Sequence, residues 1–316
     1  MSRPRGTRFS TALSAWALLT TMLASACSGN YSNEDVDFQL ALPETDDLTV
    51  KLPRQALVTP DAAEYYLATR EVVFKVNAFV LAVVGIVDHV RAFAPSERRG
   101  NLRVWGPFPH DRDPTFEQRM TMVRVVDAAG PRFDYQIEFR RAGDAQAPWT
   151  PLITGLFLPL SPTETRPNQI VLDLVEARRQ GYPVSDFNEL EELRIAYQRR
   201  VPPYRTTMTV RNVKEAQSPG ATYNYSENAD RSGEMTFAWQ VRDNIWVSAV
   251  ELFSRWISSG AGRADARILE GLAAVAGSRG IDCWGPDARA TYLRRDWGDR
   301  REEGDPTTCV LPAPPP

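Results

Sequence analysis

The chain has 316 residues, 43% hydrophobic and 24% charged, a balance that excludes a disordered polypeptide and provides for a sizeable core. Lys plus Arg total 37 against 40 acids, and Arg3, Arg5 and Arg8 fall in the first ten positions. The remainder is mildly acidic and lacks the clustered positive charge that phosphates demand, so nucleic acid is not an expected partner. With only His89 and His110 present, sites that need several imidazoles are excluded too.

In chain order, the three arginines precede an apolar run from Thr11 to Leu23 and then Leu23-Ala24-Ser25-Ala26-Cys27. A short apolar core followed by small residues is an export signal, too short to remain as a membrane span, and residues 1–26 are read as a signal peptide. The site resembles the lipobox of bacterial lipoprotein precursors, with one departure: the leucine usual three places before the cysteine is Ala24, and Leu23 stands one earlier. The resemblance implies a lipid on Cys27, a membrane partner through that anchor and a place in the cell envelope. Ser28, where a retention signal would carry Asp, implies the outer membrane. The alternative is ordinary cleavage after Ala26. With Cys27 lipidated, Cys283 and Cys309 remain to pair, and closing that loop adds about 3 kcal/mol.

Residues 27–58 read as lipid attachment plus an acidic tether, with Glu34, Asp35, Asp37, Glu44, Asp46 and Asp47 against Lys51 and Arg54. The alternations Phe38-Leu40-Leu42 and Leu48-Val50-Leu52 allow strands on the body instead. Thr59-Pro60-Asp61 is a helix start, and the helix is expected over 59–94, ending before Pro95. From Val76 to Val87 its only polar side chain is Asn77, which predicts burial on every face.

After Gly100 the period changes to two. Phe133, Tyr135, Ile137 and Phe139 alternate with Asp134, Gln136, Glu138 and Arg140, and the pattern recurs at Leu193-Ile195-Tyr197, at Met235-Phe237-Trp239-Val241 and at Trp246, Val250, Leu252 and Trp256. With no second long helix for parallel crossovers, the class is mainly β (α+β): an antiparallel β-meander over 95–310, barrel-like, with the apolar helix packed in or against it as one domain. Residues 311–316 are a Pro-rich tail. The order of Trp105-Gly106-Pro107, Arg255-Trp256, Gly260-Ala261-Gly262-Arg263-Ala264-Asp265 and Cys283-Trp284 is similar to a group of uncharacterised bacterial lipoproteins. That resemblance implies export and this fold, and no activity.

Several groups are candidates for chemistry. Asn228, Asp230, Ser232 and Glu234 place oxygens at alternate positions around Gly233, like the first half of a Ca²⁺ loop. Position twelve, which needs a bidentate acid, is Trp239, so a polar hairpin turn accounts for the same residues. Glu189, Glu191 and Glu192 are the densest carboxylates and the candidates for hydrolytic acid–base work; a solvated strand edge is the plainer explanation. His89 follows Asp88 near the helix end, where it complements the dipole, and His110 sits in a proline-rich loop with no nucleophile motif. Of the tryptophans, Trp149 and Trp297 are expected to be exposed. No catalytic residue and no cofactor are therefore expected beyond the Ca²⁺ candidate. The function read from the sequence is an envelope lipoprotein acting as a non-catalytic binding or structural module. A lipocalin-like carrier of an apolar ligand and a carboxylate-dependent hydrolase are the alternatives.

Overall fold

Alternating apolar residues form strands here because each buries one face and leaves the other in water. In the computed structural model, which describes residues 32–53, 61–127, 130–158, 166–184, 187–199, 201–213, 221–243, 246–270 and 277–314, the strands are β1 (Glu97–Arg99), β2 (Leu102–Pro109), β3 (Phe116–Asp127), β4 (Gly130–Arg141), β5 (Thr150–Phe157), β6 (Asn168–Asp173), β7 (Leu190–Gln198), β8 (Tyr204–Asn212), β9 (Ala221–Glu227), β10 (Gly233–Asp243), β11 (Trp246–Trp256), β12 (Gly262–Ile268), β13 (Arg279–Trp284), β14 (Ala290–Arg295) and β15 (Arg301–Gly304). They form one 15-stranded sheet in which every strand pairs only with its neighbours in sequence. All of the ladders are antiparallel. Phe133, Tyr135, Ile137 and Phe139 are all buried, as are Leu193, Ile195 and Tyr197.

The expected barrel does not close. Among the described residues β1 pairs only with β2 and β15 only with β14, so two edges remain. Both edge strands are short and charged, Glu-Arg-Arg and Arg-Glu-Glu-Gly, which discourages pairing with another sheet. The sheet nevertheless curls, because residues from β2 to β13 share one core cluster with the long helix. Glycines on strands make the bend: a Cβ on Gly155 would lie 1.9 Å from the Tyr135 ring, and one on Gly262 would lie 2.4 Å from the Trp284 ring. Tyr135 and Trp284 are the registered partners of these glycines, so each ring lies over bare backbone where the sheet folds inward.

The long helix, α3 (Glu64–Arg91), spans 28 residues, shorter than the 59–94 expected; α1 (Asn33–Leu40) and α2 (Thr45–Leu48) precede it. Asp61 and Ala62 do not begin the helix. Ala62 forms a β-bridge to Arg289, and the Ala290 N–H donates to the Asp61 carbonyl. The helix N-terminus is met from β13 instead: the Tyr65 N–H donates to Asp282 Oδ2 at 2.7 Å. One face of α3 is buried, through Val73, Val76, Val80, Val83, Val84 and Val87. The other is not, so the helix is not enclosed on every side: Phe74 is 74% and Leu81 55% exposed. Apolar residues all round a helix signal full enclosure only when the surrounding sheet closes. Asn77 accepts from the Val50 N–H at 2.9 Å and donates to the Val50 carbonyl at 3.0 Å, so it pairs with the chain as a strand would.

Residues 32–53 of the expected tether are helical and turn segments on the body, with Phe38, Leu42 and Leu48 in the core. Asp35 is fully buried between Arg98 at 2.9 Å and Arg103 at 2.6 Å. Burial alone would raise its pKa, but hydrogen bonds from the Ser32 backbone, Arg103 and Arg98 outweigh it and hold the carboxyl at about 2. Cys283 and Cys309 are joined, with Cα atoms 5.3 Å apart, and Arg255 donates to the Pro312 carbonyl at 2.6 Å, which lays the described part of the C-terminal tail against the sheet.

Phe79 is partly buried against the core, so Phe79→Ala should cost about 1–3 kcal/mol in chemical denaturation, whereas Phe74→Ala should stay within about 0.5 kcal/mol. Equal losses would contradict this one-sided burial of α3. Asp282 is fully buried, and burial pushes its pKa up to about 7, with the Tyr65 N–H opposing and the Glu64 charge adding to the rise. Its folded pKa exceeds its unfolded value, so its contribution is fully present below about pH 4 and is lost as pH rises to about 7. The melting temperature should fall across that window, by the equivalent of up to about 4 kcal/mol, and Asp282→Asn, which keeps the acceptor, should flatten the profile.

Candidate functional site

The residues expected to carry chemistry are not brought together. Asp230 Oδ1 accepts from the Ser232 N–H at 3.0 Å and hydroxyl at 2.6 Å, and Asn228 Nδ2 donates to Ser232 Oγ at 3.0 Å. These side chains therefore close the β9–β10 turn on themselves, and Glu234 points from the exposed face of β10. Glu227, next to this turn, is 2% exposed and is held by Arg199 at 3.0 Å and by the Tyr225 hydroxyl at 2.9 Å. Among the described residues no group of three or more His, Cys, Asp or Glu is placed to hold a metal ion.

Glu192 accepts from Nε and Nη2 of Arg194, both at 2.7 Å, and these hydrogen bonds hold its pKa below the usual carboxylate range. Glu191 lies 3.5 Å from Arg211, and Glu189 is exposed beside the bulge at Leu190/Glu192. A carboxylate fixed as an ion pair does not serve as the proton donor that glycoside hydrolysis requires. Trp149, expected to be exposed, is half-buried with Arg119 and Arg140 each 4.3 Å from its ring. Trp297, also expected outside, packs against the core and covers Gly280. His89 lies in α3, but its side chain falls outside the described residues, as do residues 1–31 with the signal segment and Cys27.

The structure does form a cleft of about 230 Å³ between α3 and the strands β2 to β6. Its floor is apolar: Ile86, Phe108, Leu152, Leu172, Leu174 and Phe187. Tyr182, after the short helix α4 (Val175–Arg179), anchors one wall by packing on Phe139 at 4.4 Å and Phe116 at 5.4 Å. Its hydroxyl accepts from Gln118 Nε2, and burial pushes its pKa up. His110 stands against Tyr182 with ring centres 5.1 Å apart, and Asp111 and Arg112 complete the rim.

The state of His110 is fixed by its loop. Nδ1 accepts from the backbone N–H groups of Arg112 and Asp113, both at 3.2 Å, so the proton of the neutral ring sits on Nε2. Burial depresses its pKa below the ordinary value, against the pull of Asp111 and Asp113, so the ring is neutral at pH 7. A neutral N–H donor above an apolar floor is an arrangement that would suit a polar group attached to an apolar one. Among the described residues no serine, cysteine or lysine lines the cleft.

His110 was visible in the sequence as a rigid-loop residue, but nothing marked its partners Tyr182 and Gln118. The signal available was Gly85, a helix-disfavouring residue in the middle of an apolar helix. It lines the cleft, and a Cβ there meets nothing within 4 Å. No family model matches the chain, and no curated protein or solved structure matches it significantly.

Gly85→Leu should leave the fold intact, raise helix stability by up to about 1 kcal/mol and reduce the cleft. Thermal denaturation together with titration of an anionic aromatic dye checks this: the expected result is an unchanged or higher melting temperature with weaker dye binding.

Proposed function

We propose that the chain is an exported lipoprotein of the cell envelope, carried at the outer membrane by a lipid on Cys27 and acting there as a non-catalytic binding module. The observation that supports binding is the cleft: an apolar floor under a rim that carries Arg112 and His110, which burial keeps neutral and whose Nδ1 takes two backbone N–H groups. Its ligand is a small amphipathic molecule with an aromatic ring or short alkyl group and a polar or anionic head. The volume of about 230 Å³ is comparable to cavities that admit one aromatic ring, and α3 occupies the interior that a carrier of long acyl chains would need to leave empty. This favours the binding module over the lipocalin-like carrier. The reading requires no cofactor. For export and anchoring, the support is the sequence Leu23-Ala24-Ser25-Ala26-Cys27 and the pairing of the other two cysteines with each other, which leaves Cys27 free for the lipid. No helix among the described residues is long and apolar enough to cross a membrane.

The test follows radiolabelled palmitate and envelope partition in the chain and in Cys27→Ala. Label incorporation and sedimentation with envelope lipids should both be lost in the variant, and a variant that still sediments would remove the anchor. Binding is tested separately by titrating the anionic aromatic dye into the chain and into His110→Phe, where affinity should drop about fivefold with the loss of the Nε2–H donor.

A further inference from the structure

We propose that the outward face of α3 is a contact between two copies of this chain, packed antiparallel about Phe74. Leu67, Phe74 and Leu81 are 38%, 74% and 55% exposed and recur at intervals of seven residues, which puts them in one stripe along the helix. The stripe has a symmetry that a second copy uses. Leu67 and Leu81 lie equally far on either side of Phe74, so in an antiparallel pair Phe74 meets its own copy and Leu67 meets Leu81 in both directions. Ala78 is exposed along the same stripe, and a small residue there permits close approach.

The charges fit the same arrangement. Glu71 and Lys75 flank Phe74 on one side of the stripe, both well exposed, and pair within the helix at 2.7 Å. In an antiparallel pair, residues on one flank face the same flank of the other helix, so each Lys75 lies beside Glu71 of the other copy, in the order Glu71, Lys75, Lys75, Glu71 along the contact. A lipid surface fits less well. The exposed charges of α3 are Glu64, Glu71 and Asp88 against Arg70 and Lys75, which gives no positive excess to attract anionic headgroups. From Leu67 to Leu81 the stripe is about 21 Å long at about 1.5 Å per residue. A single helix face is smaller than a standard interface, so the dimer is weak, with a dissociation constant on the order of 10–100 μM. Tethering of both copies to one surface would raise their effective concentration well above solution values.

Site-specific oxidation of the purified chain at about 50 μM, within that range, tests the proposal. Phe74→Cys sits on the symmetry axis and should form a disulfide-linked dimer at least about fivefold above Val126→Cys, a control at a comparably exposed strand position (71%). Leu67→Cys or Leu81→Cys alone should stay at the control level, and the two together should cross-link. In the Phe74→Cys background, Lys75→Glu should lower the yield about threefold or more, and the charge swap Glu71→Lys with Lys75→Glu should restore it. These surface changes leave the core intact, and unchanged melting curves would show it. A Phe74→Cys yield no higher than the control overturns the proposal. So does a yield indifferent to charge reversal, or binding to phosphatidylglycerol vesicles without cross-linking, which would put a bilayer on this face.

Discussion

An open sheet with one apolar face has to bury that face on something other than its own closing ladder, and the rest of this structure follows from that requirement. The two edges, β1 and β15, do not pair, so the inner face is completed by α3, whose valines enter the same core as Trp105, Met120, Tyr135 and Phe237. Valine is a poor helix former beside leucine or alanine, yet five valines on the buried face between Val76 and Val87 are tolerated because tertiary burial outweighs local propensity. A side chain at Gly155 or Gly262 would collide with the Tyr135 or Trp284 ring, so the curl that brings distant strands to the helix depends on these glycines as much as on the apolar pattern.

The segments outside the sheet are fastened by charges taken out of water. Asp35 ties α1 to Arg98 and Arg103, and Arg199 reaches from the end of β7 to the Asp47 and Thr49 carbonyls while its other arm pairs with Glu227. Buried pairs of this kind add little net stability over apolar packing, but losing one partner strands the other charge. Their effect is to fix where the N-terminal segment lies: Val50 is set against Asn77 of α3, and the Lys51 N–H donates to the Tyr225 hydroxyl. The C-terminal tail is fastened covalently at Cys283 and Cys309.

The sheet was legible because its signal is local. The alternation in β4, β7 and β11 marks an inner face that needs no knowledge of distant partners, and the cysteine pair followed from there being three thiols with one assigned elsewhere. Features set by long-range pairing were not legible. The acids of residues 34–47 look like a solvated tether until Arg103 is placed beside Asp35, and Trp149 looks exposed until Arg119 and Arg140 arrive from two other strands. The start of α3 was misread for the same reason, since Asp282, 217 positions away, supplies the acceptor that Thr59 was expected to provide. Closure of the barrel depends on the shear and stagger of the whole ladder, which no single strand encodes. The cleft arises where α3, the β2 end and the Tyr182 loop meet, and only Gly85 hinted at it.

The strictly sequential strand order shapes how this chain reaches its native state. Each hairpin closes a short loop, so the ladder extends one neighbour at a time at small entropic cost. The helix does not share that advantage. It precedes every described strand in the chain, yet the groups that hold its first two turns, Asp282 and Ser254, come from β13 and β11. During synthesis its apolar surface therefore exists before any sheet is there to receive it. The late event in folding is the meeting of the two ends of the chain, and until then α3 is the surface most open to aggregation or to protection by a chaperone.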